Sequence, residues 1–184
     1  MCGIIGYIGQ KDIIPLLLTG LKRMEYRGYD SAGLSVLGKD SNLYSIKKKG
    51  RVQDLELAAT ELKIFGEIGI AHTRWATHGF PNDINAHPHF DTKMKISLVH
   101  NGIIENYATI KQKLIQEGFT FRSETDTEVL VVLIERFYEK VKDLEYAVRL
   151  ALNEVNGTFG IALISSYEPN KIIAARRGSP LILG

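Results

Sequence analysis

A cysteine directly behind the initiator methionine is the residue of this chain best suited to covalent chemistry. Cys2 is the only cysteine among 184 residues, and removal of Met1 would place a free α-amine beside its thiol. A thiol attacks as its thiolate, and an α-amine with a reference pKa of about 8 is a suitable base near neutral pH. The position predicts a nucleophile that carries its own general base, with a small buried residue as the structural alternative.

An Asn-Gly pair later in the chain offers the second requirement of acyl transfer, which is a group of donors for an oxyanion. The side-chain amide of Asn101 can donate a hydrogen bond, and Gly102 leaves its backbone N–H accessible to a substrate. Asn-Gly is also typical of a tight turn. The pair is therefore a candidate oxyanion hole only in combination with Cys2.

Two charged residues are suited to holding the ends of a small zwitterionic substrate. Arg74 follows a predicted strand, and its guanidinium can bind a carboxylate through two parallel hydrogen bonds. Asp126 can bind an ammonium group, although its segment, 123–128, is also typical of a helix start with capping oxygens. The two residues predict a site for a substrate with both charges.

Histidines are concentrated in a polar, proline-containing stretch at 78–93, which predicts a long loop. His87 and His89 have the spacing of a possible metal-ligand pair, but Pro88 separates them and neither a second cysteine nor a carboxylate cluster accompanies them. We therefore predict no metal site and expect the histidines to form hydrogen bonds.

Composition restricts the class of protein. With 45% apolar and 24% charged residues, the chain is typical of one globular domain. The net charge is only +2, and the longest basic run, at 47–51, has no aromatic residues, so it predicts a solvated turn and no nucleic-acid binding. A single cysteine, no secretion signal and no transmembrane-length apolar stretch favour a cytoplasmic protein without membrane attachment.

Hydrophobic periodicity predicts the elements that position these residues. A buried strand at 4–8 begins next to Cys2, and helical spacing follows from Asp12, with Gly28 after the helix end. Further strands are predicted at 33–38, 43–47, 69–73, 96–100, 159–165 and 171–175. Further helices are predicted at 106–116, 125–139 and 143–155. Strands at both ends and helices between them favour an α+β fold.

Six segments together resemble one family in order and spacing. They are CGIIG at 2–6, YRGYDSAG at 26–33, HTRWATHG at 72–79, NAHPH at 85–89, HNG at 100–102 and SETDTE at 123–128. The chain resembles the class II glutamine amidotransferases, in particular the branch that aminates a sugar phosphate. The resemblance implies an N-terminal-nucleophile (Ntn) hydrolase fold with four αββα layers, in which two antiparallel sheets lie between helices. It also implies that residues 1–184 are the glutaminase domain, without the sugar isomerase domains that follow it in that branch.

The resemblance also implies roles for the site residues. Cys2 would be the nucleophile, its α-amine the base, and Asn101 with Gly102 the oxyanion hole. Arg74 would bind the substrate α-carboxylate and Asp126 its α-amine. Residues expected to line the glutamine pocket are Trp75, Thr77 and His78, and those expected to support the N-terminal residue are Arg27 and Gly28.

The implied reaction is hydrolysis of L-glutamine to L-glutamate and ammonia through a γ-glutamyl thioester, without a metal or organic cofactor. In a full-length, homodimeric enzyme the ammonia would convert fructose 6-phosphate to glucosamine 6-phosphate. Two alternatives stay open from the residues alone. One is a different amidase with an N-terminal cysteine, which would favour a bulky apolar pocket, and the other is a non-catalytic binding module with an incidental thiol.

Overall fold

The first of two antiparallel sheets contains the N-terminal strand that follows Cys2. The computed structural model describes residues 2–60, 65–75 and 79–184. Four strands form this sheet in the order β1-β4-β2-β3. They are β1 (Gly3–Ile8), β2 (Ser31–Gly38), β3 (Leu43–Lys49) and β4 (Gly66–Arg74). Pairing of Gly3 with Thr73 brings the start of β1 next to the end of β4.

The second sheet also has four strands, in the order β5-β6-β7-β8. They are β5 (His89–Phe90), β6 (Ile96–Ile104), β7 (Gly157–Ser165) and β8 (Ile173–Arg177). All the strand pairs in both sheets are antiparallel. Asn101 and Gly102 therefore lie within β6, paired with Gly160 and Phe159, and do not form a tight turn.

Helices cover the outer face of each sheet. Helices α1 (Ile13–Met24) and α2 (Val52–Thr60) pack on the first sheet through a shared apolar core. Helices α3 (Tyr107–Gln116), α4 (Asp126–Val141) and α5 (Leu144–Glu154) pack on the second. A third apolar cluster, with Ile70 of β4 and Val99 of β6, joins the sheets to each other. The four αββα layers implied by the family resemblance are confirmed.

The layer between the sheets changes from apolar to polar along its length. Successive side chains of a strand point to opposite faces, so residues two apart share a face. In β4, Ile68 and Ile70 are in the inter-sheet cluster, and the same face continues with His72 and Arg74. Cys2 precedes Ile4 by two residues and Asn101 follows Val99 by two, and Ile4 and Val99 belong to the same cluster. One end of this layer therefore collects the polar residues of three strands.

Most predicted elements are present, and the structure differs from the predictions in three places. Helix α2 was not predicted, and the stretch 78–93 contains the short strand β5. The basic run at 47–51 is not a solvated turn, because its first three residues complete β3. Lys47 is partly buried there, and its Nζ donates to the carbonyl of Ile84 at 2.8 Å. Within the described ranges, every helix is too short or too polar to cross a membrane.

Candidate active site

A cleft of about 270 Å³ lies at the polar end of the inter-sheet layer. Its volume is close to the lower bound of about 300 Å³ for small-molecule pockets. The predicted site residues that line it are Cys2, Arg74, Trp75, Gly102 and Asp126. These residues come from both sheets and from the start of α4, so the fold brings together side chains that are up to 124 positions apart in the sequence.

The thiol of Cys2 is held against the end of β4. The backbone N–H of Trp75 donates to Sγ at 3.0 Å, and the backbone N–H of Gly3 donates to Oγ1 of Thr73 at 3.1 Å. Burial raises the pKa of the Cys2 thiol above its ordinary value, against the opposing effect of the Trp75 N–H. The thiol is therefore protonated at neutral pH, and nucleophilic attack requires a base.

The amide of Asn101 contacts the backbone of Cys2 directly. Its Nδ2 donates to the Cys2 carbonyl oxygen at 3.3 Å, and its Oδ1 lies 2.8 Å from Nε2 of His72. Gly102 has φ +135°, and a Cβ at this position would lie 2.0 Å from the carbonyl oxygen of Thr158. Only glycine fits so close to the neighbouring strand, and it leaves the cleft side of the backbone open.

Arg74 is a buried cation at the end of β4, only 3% exposed. Its Nη1 lies 4.0 Å from Oδ1 of Asp30, and its Nη2 donates to the carbonyl of Gly79 at 3.3 Å. Burial lowers the pKa of the guanidinium, whereas Asp30, Cys2 and Asp126 act in the opposite direction. Arginine stays charged despite such a shift, so the cleft has a fixed positive charge.

Asp126 is the first residue of α4 and is buried. Its Oδ2 accepts a hydrogen bond from the backbone N–H of Ile104 at 2.9 Å, which joins the helix to the end of β6. The N-cap is the preceding residue, Thr125, whose side chain accepts from the N–H of Glu128 at 3.2 Å. Thr125 is therefore the capping residue, whereas Asp126, an acidic residue in the first turn of α4, is placed to compensate the helix dipole and also lines the cleft.

The remaining predicted residues differ in what the structure describes. Trp75 is 55% exposed at the cleft, and Gly28 packs beneath it with φ +77°, where a Cβ would lie 2.6 Å from the indole ring. Arg27 ends a short 3-10 turn, but its side chain lies outside the described part. Thr77 and His78 also lie outside the described residues.

Several cleft residues were not predicted as site residues. They are His72, His87, His100, Ile103, Thr125, Thr127 and Thr158. Thr127 connects two of the histidines, because its Oγ1 lies 3.0 Å from Nδ1 of His100 and 3.4 Å from Nε2 of His87. The alternation of side chains along the strands and the predicted start of a helix were sequence signals that could have identified some of these residues. Across the described residues, no group of three or more His, Cys, Asp or Glu side chains is arranged to hold a metal ion.

Comparison with known proteins gives a family match and close relatives. The family profile described as the glutamine amidotransferase domain matches residues 58–178. Glutamine–fructose-6-phosphate aminotransferase (isomerizing) from Bacteroides thetaiotaomicron is 55% identical over 187 residues. The protein of the same name from Chlorobaculum tepidum is 56% identical over 189 residues. Both alignments cover 100% of this chain and 30% of the relative, so the chain spans about a third of the length of these relatives.

Solved structures share the fold. The glutamine phosphoribosylpyrophosphate amidotransferase from B. subtilis, complexed with ADP and GMP, has a TM-score of 0.81 at 24% identity and is matched over 96% of this chain and 37% of that chain. A structure described as the allosteric regulatory enzyme of purine biosynthesis has a TM-score of 0.78 at 25% identity, over 90% of this chain and 36% of that chain.

Proposed function

The chain belongs to the glutamine amidotransferase family, and from this premise we propose that it hydrolyses the carboxamide of L-glutamine to L-glutamate and ammonia at Cys2. The observation that carries the proposal is the composition of the cleft. A thiol, a buried cation, a buried carboxylate and a glycine backbone surround one volume of about 270 Å³. The thiol can form a thioester, and the cation and the carboxylate can bind the two charged ends of glutamine. The glycine N–H can stabilise the oxygen of the reacting carbonyl.

Substrate recognition divides between the two buried charges. The guanidinium of Arg74 binds the α-carboxylate through two parallel hydrogen bonds, and the carboxylate of Asp126 binds the α-ammonium group. With both ends held, the side-chain carboxamide extends towards Cys2. Trp75, Thr77 and His78 complete the pocket in this proposal, and Arg27 with Gly28 supports the N-terminal residue.

Acylation begins with a proton transfer that the buried thiol needs. After removal of Met1, the α-amine of Cys2 accepts the Sγ proton, and the thiolate attacks the carboxamide carbon. The negative charge on the carboxamide oxygen is stabilised by the Asn101 amide and the Gly102 N–H. The protonated α-amine then donates to the amide nitrogen, the C–N bond breaks, and ammonia leaves a γ-glutamyl thioester on Cys2.

Deacylation repeats these steps with water as the nucleophile. The α-amine accepts a proton from water, the hydroxide attacks the thioester carbonyl, and the same two donors stabilise the second oxyanion. Cleavage of the C–S bond releases L-glutamate, and the proton returns from the α-ammonium to the thiolate. The cycle consumes one glutamine and one water and requires no group beyond the residues named.

The relatives' name extends the proposal to the whole protein. We propose that in a full-length homodimer the ammonia reaches sugar isomerase domains and converts fructose 6-phosphate to glucosamine 6-phosphate. The chain described here spans 30% of those relatives. We therefore expect residues 1–184 alone to release ammonia from glutamine and to form no glucosamine 6-phosphate when fructose 6-phosphate is added.

A pair of N-terminal variants tests the free α-amine separately from the thiol. In the first, Cys2→Ala removes the thiol. In the second, an alanine inserted ahead of Cys2 keeps the thiol but places the free α-amine on another residue. Intact-protein mass establishes that Met1 has been removed, and glutamate production from L-glutamine is measured for all three proteins. L-asparagine and a bulky apolar amide serve as competing substrates.

We expect only the protein with Cys2 at its N-terminus to hydrolyse L-glutamine. It should also give a single adduct on Cys2 with a diazoketone analogue of glutamine, and excess glutamine should suppress that adduct. Processed protein that prefers the bulky amide would indicate a different amidase. Processed protein that neither hydrolyses any of the amides nor forms the adduct would contradict the proposal and favour a binding module.

A further inference from the structure

His72 contacts the proposed oxyanion donor from inside the protein. Its Nε2 lies 2.8 Å from Oδ1 of Asn101. The two residues belong to different sheets, because His72 is in β4 and Asn101 is in β6. Both side chains follow apolar inter-sheet residues by two positions, so each is directed into the layer that separates the sheets. This hydrogen bond therefore joins the sheets next to Cys2.

The hydrogen bonds of Asn101 determine which ring nitrogen carries the proton. Its Nδ2 donates to the Cys2 carbonyl at 3.3 Å, so its Oδ1 is the atom that faces the ring. A carbonyl oxygen only accepts, so Nε2 of His72 must be the donor. Nδ1 of His72 makes no hydrogen bond of good geometry with the described residues, which suits a lone pair, although a backbone contact with His100 favours the protonated ring; the 2.8 Å bond from Nε2 to Asn101 has the better geometry and decides the tautomer.

Packing fixes the imidazole in this orientation. His72 is fully buried, and its ring stacks on His87 with 4.1 Å between centroids and 16° between ring planes. Burial lowers the pKa of His72 to about 3, although the hydrogen bond with Asn101 opposes the shift. The ring is therefore neutral at physiological pH, when it has one N–H to donate. An uncharged, immobile donor holds an amide in place without adding charge beside a thiolate.

We propose that His72 is a positioning residue that, through Nε2–H, fixes the side-chain amide of Asn101 with its nitrogen towards the carbon attacked by Cys2. The inference rests on the proposed glutaminase reaction and adds a residue to it. One amide hydrogen of Asn101 goes to the Cys2 carbonyl, and the second is assigned to the oxyanion. Without the His72 donor, only the 3.3 Å bond to the Cys2 carbonyl holds the amide, so rotation that presents its oxygen to the oxyanion, which it repels, becomes easier.

Two polar substitutions of similar size separate the donor from mere packing. In His72→Gln the amide nitrogen takes the place of Nε2 and keeps a donor near Asn101. In His72→Asn the side chain is one carbon shorter and its donor falls short. Loss of one oxyanion donor lowers kcat by roughly 100- to 1,000-fold, so we expect loss of its orientation to lower kcat by roughly 10- to 100-fold. The kcat of His72→Gln should exceed the kcat of His72→Asn by roughly tenfold, and the two variants should have similar KM values.

Each substitution is repeated with Asn101→Ala to test whether His72 acts through Asn101. If it does, adding His72→Asn to Asn101→Ala should lower kcat by less than about twofold. If the two residues act independently, the fall in kcat of the double variant should equal the product of the two single falls to within about twofold. Alkylation of Cys2 by iodoacetamide forms no oxyanion, so its rate should be equal in all variants. Multiplicative losses in kcat, or an alkylation rate that falls in parallel with kcat, would overturn the proposal.

A spectroscopic measurement on the unsubstituted protein does not depend on activity or on the folding of variants. Long-range ¹H–¹⁵N spectra distinguish a protonated imidazole nitrogen from an unprotonated one. We expect His72 to show a protonated Nε2 and an unprotonated Nδ1 throughout pH 5–8, because its pKa is about 3. A protonated Nδ1 would refute the inference. If glutamine hydrolysis itself were absent while this tautomer was observed, the proposed function would fail but the His72–Asn101 bond would stand.

Discussion

Substitution of Gly102 by alanine tests whether the close contact of β6 with β7 sets both stability and the site. At Gly102 a Cβ would lie 2.0 Å from the carbonyl oxygen of Thr158, and φ is +135°. Close carbon–oxygen contacts are about 3.3 Å or longer, so the two strands must separate locally by about 1 Å. The carbonyl is backbone, and it cannot move away by a change of rotamer.

The magnitude follows from two separate costs. Left-handed backbone in a residue with a side chain costs about 1–3 kcal/mol, and displaced ladder hydrogen bonds cost about 1 kcal/mol each. We expect Gly102→Ala to lower the unfolding free energy by about 3–5 kcal/mol, which corresponds to a fall of roughly 6–20 °C in Tm for a domain of this size. A 1 Å displacement of the Gly102 N–H should also lower kcat by roughly 100-fold.

Gly118 supplies a matched control. It also has positive φ, +94°, but a Cβ there would meet no atom within 4 Å. Gly118→Ala therefore measures backbone strain without a steric clash, and we expect it to cost about 1 kcal/mol and leave kcat unchanged. Both variants would be compared by thermal unfolding and by glutamate production. If Gly102→Ala matched Gly118→Ala in Tm and kept its kcat, the reasoning about β6 would be refuted.

Three further substitutions test the buried charges and hydrogen bonds. We expect Arg74→Lys to raise KM for glutamine by roughly 10- to 100-fold, because lysine cannot form two parallel bonds to a carboxylate; an unchanged KM in steady-state kinetics would remove Arg74 from the carboxylate site. Asn85 is buried and hydrogen-bonds both the carboxylate and the N–H of Glu124. Asn85→Ala should therefore lower the unfolding free energy measured in urea by about 2–4 kcal/mol. An equal loss of unfolding free energy in Asn42→Ala, at an exposed position, would contradict this. Burial raises the pKa of Asp91 from 3.8 to about 6, so the folded protein loses stability relative to an Asp91→Asn variant as pH rises from 4 to 8. The difference in unfolding free energy between the two proteins should shift by about 2.4 kcal/mol towards the variant between pH 4 and 8, and a difference that is the same at both pH values would show that the carboxyl is not perturbed.

Periodicity was sufficient to predict most of the fold because most elements bury one regular face. The strand predicted at 4–8 and the helix predicted from Asp12 match β1 and α1 closely. Helix α2 was missed although Val52, Leu55 and Ala59 are buried at helical spacing. A helix of nine residues gives too few repeats to distinguish this pattern from chance. How the two sheets stack followed only from the family resemblance.

The basic run illustrates how tertiary contacts override composition. Consecutive lysines suggest solvent, but an edge strand accepts long side chains whose stems pack while their ends reach polar atoms. Lys47 is placed this way, and burial lowers its pKa to about 8. The backbone carbonyl of Ile84, which accepts from its Nζ, lies 37 positions further along the chain. No local pattern around Lys47 indicates that partner.

The candidate site shows the same division between what is local and what is not. Cys2 and Gly102 were predictable from chemistry, because few other residues can supply a terminal thiol or an unobstructed N–H. The functional roles of both stay predictions. His72 was overlooked as a site residue because a histidine within an apolar strand is typical of a core residue that forms a hydrogen bond. Alternation from Ile68 and Ile70 places His72 on the inter-sheet face, so the direction of its side chain could be predicted from the sequence. The 2.8 Å approach of Nε2 to Oδ1 of Asn101 depends instead on how the two sheets pack across the layer between them, which no local pattern shows. The apolar cluster fixes that packing, and core substitutions that shift the sheets should therefore alter kcat before they unfold the protein.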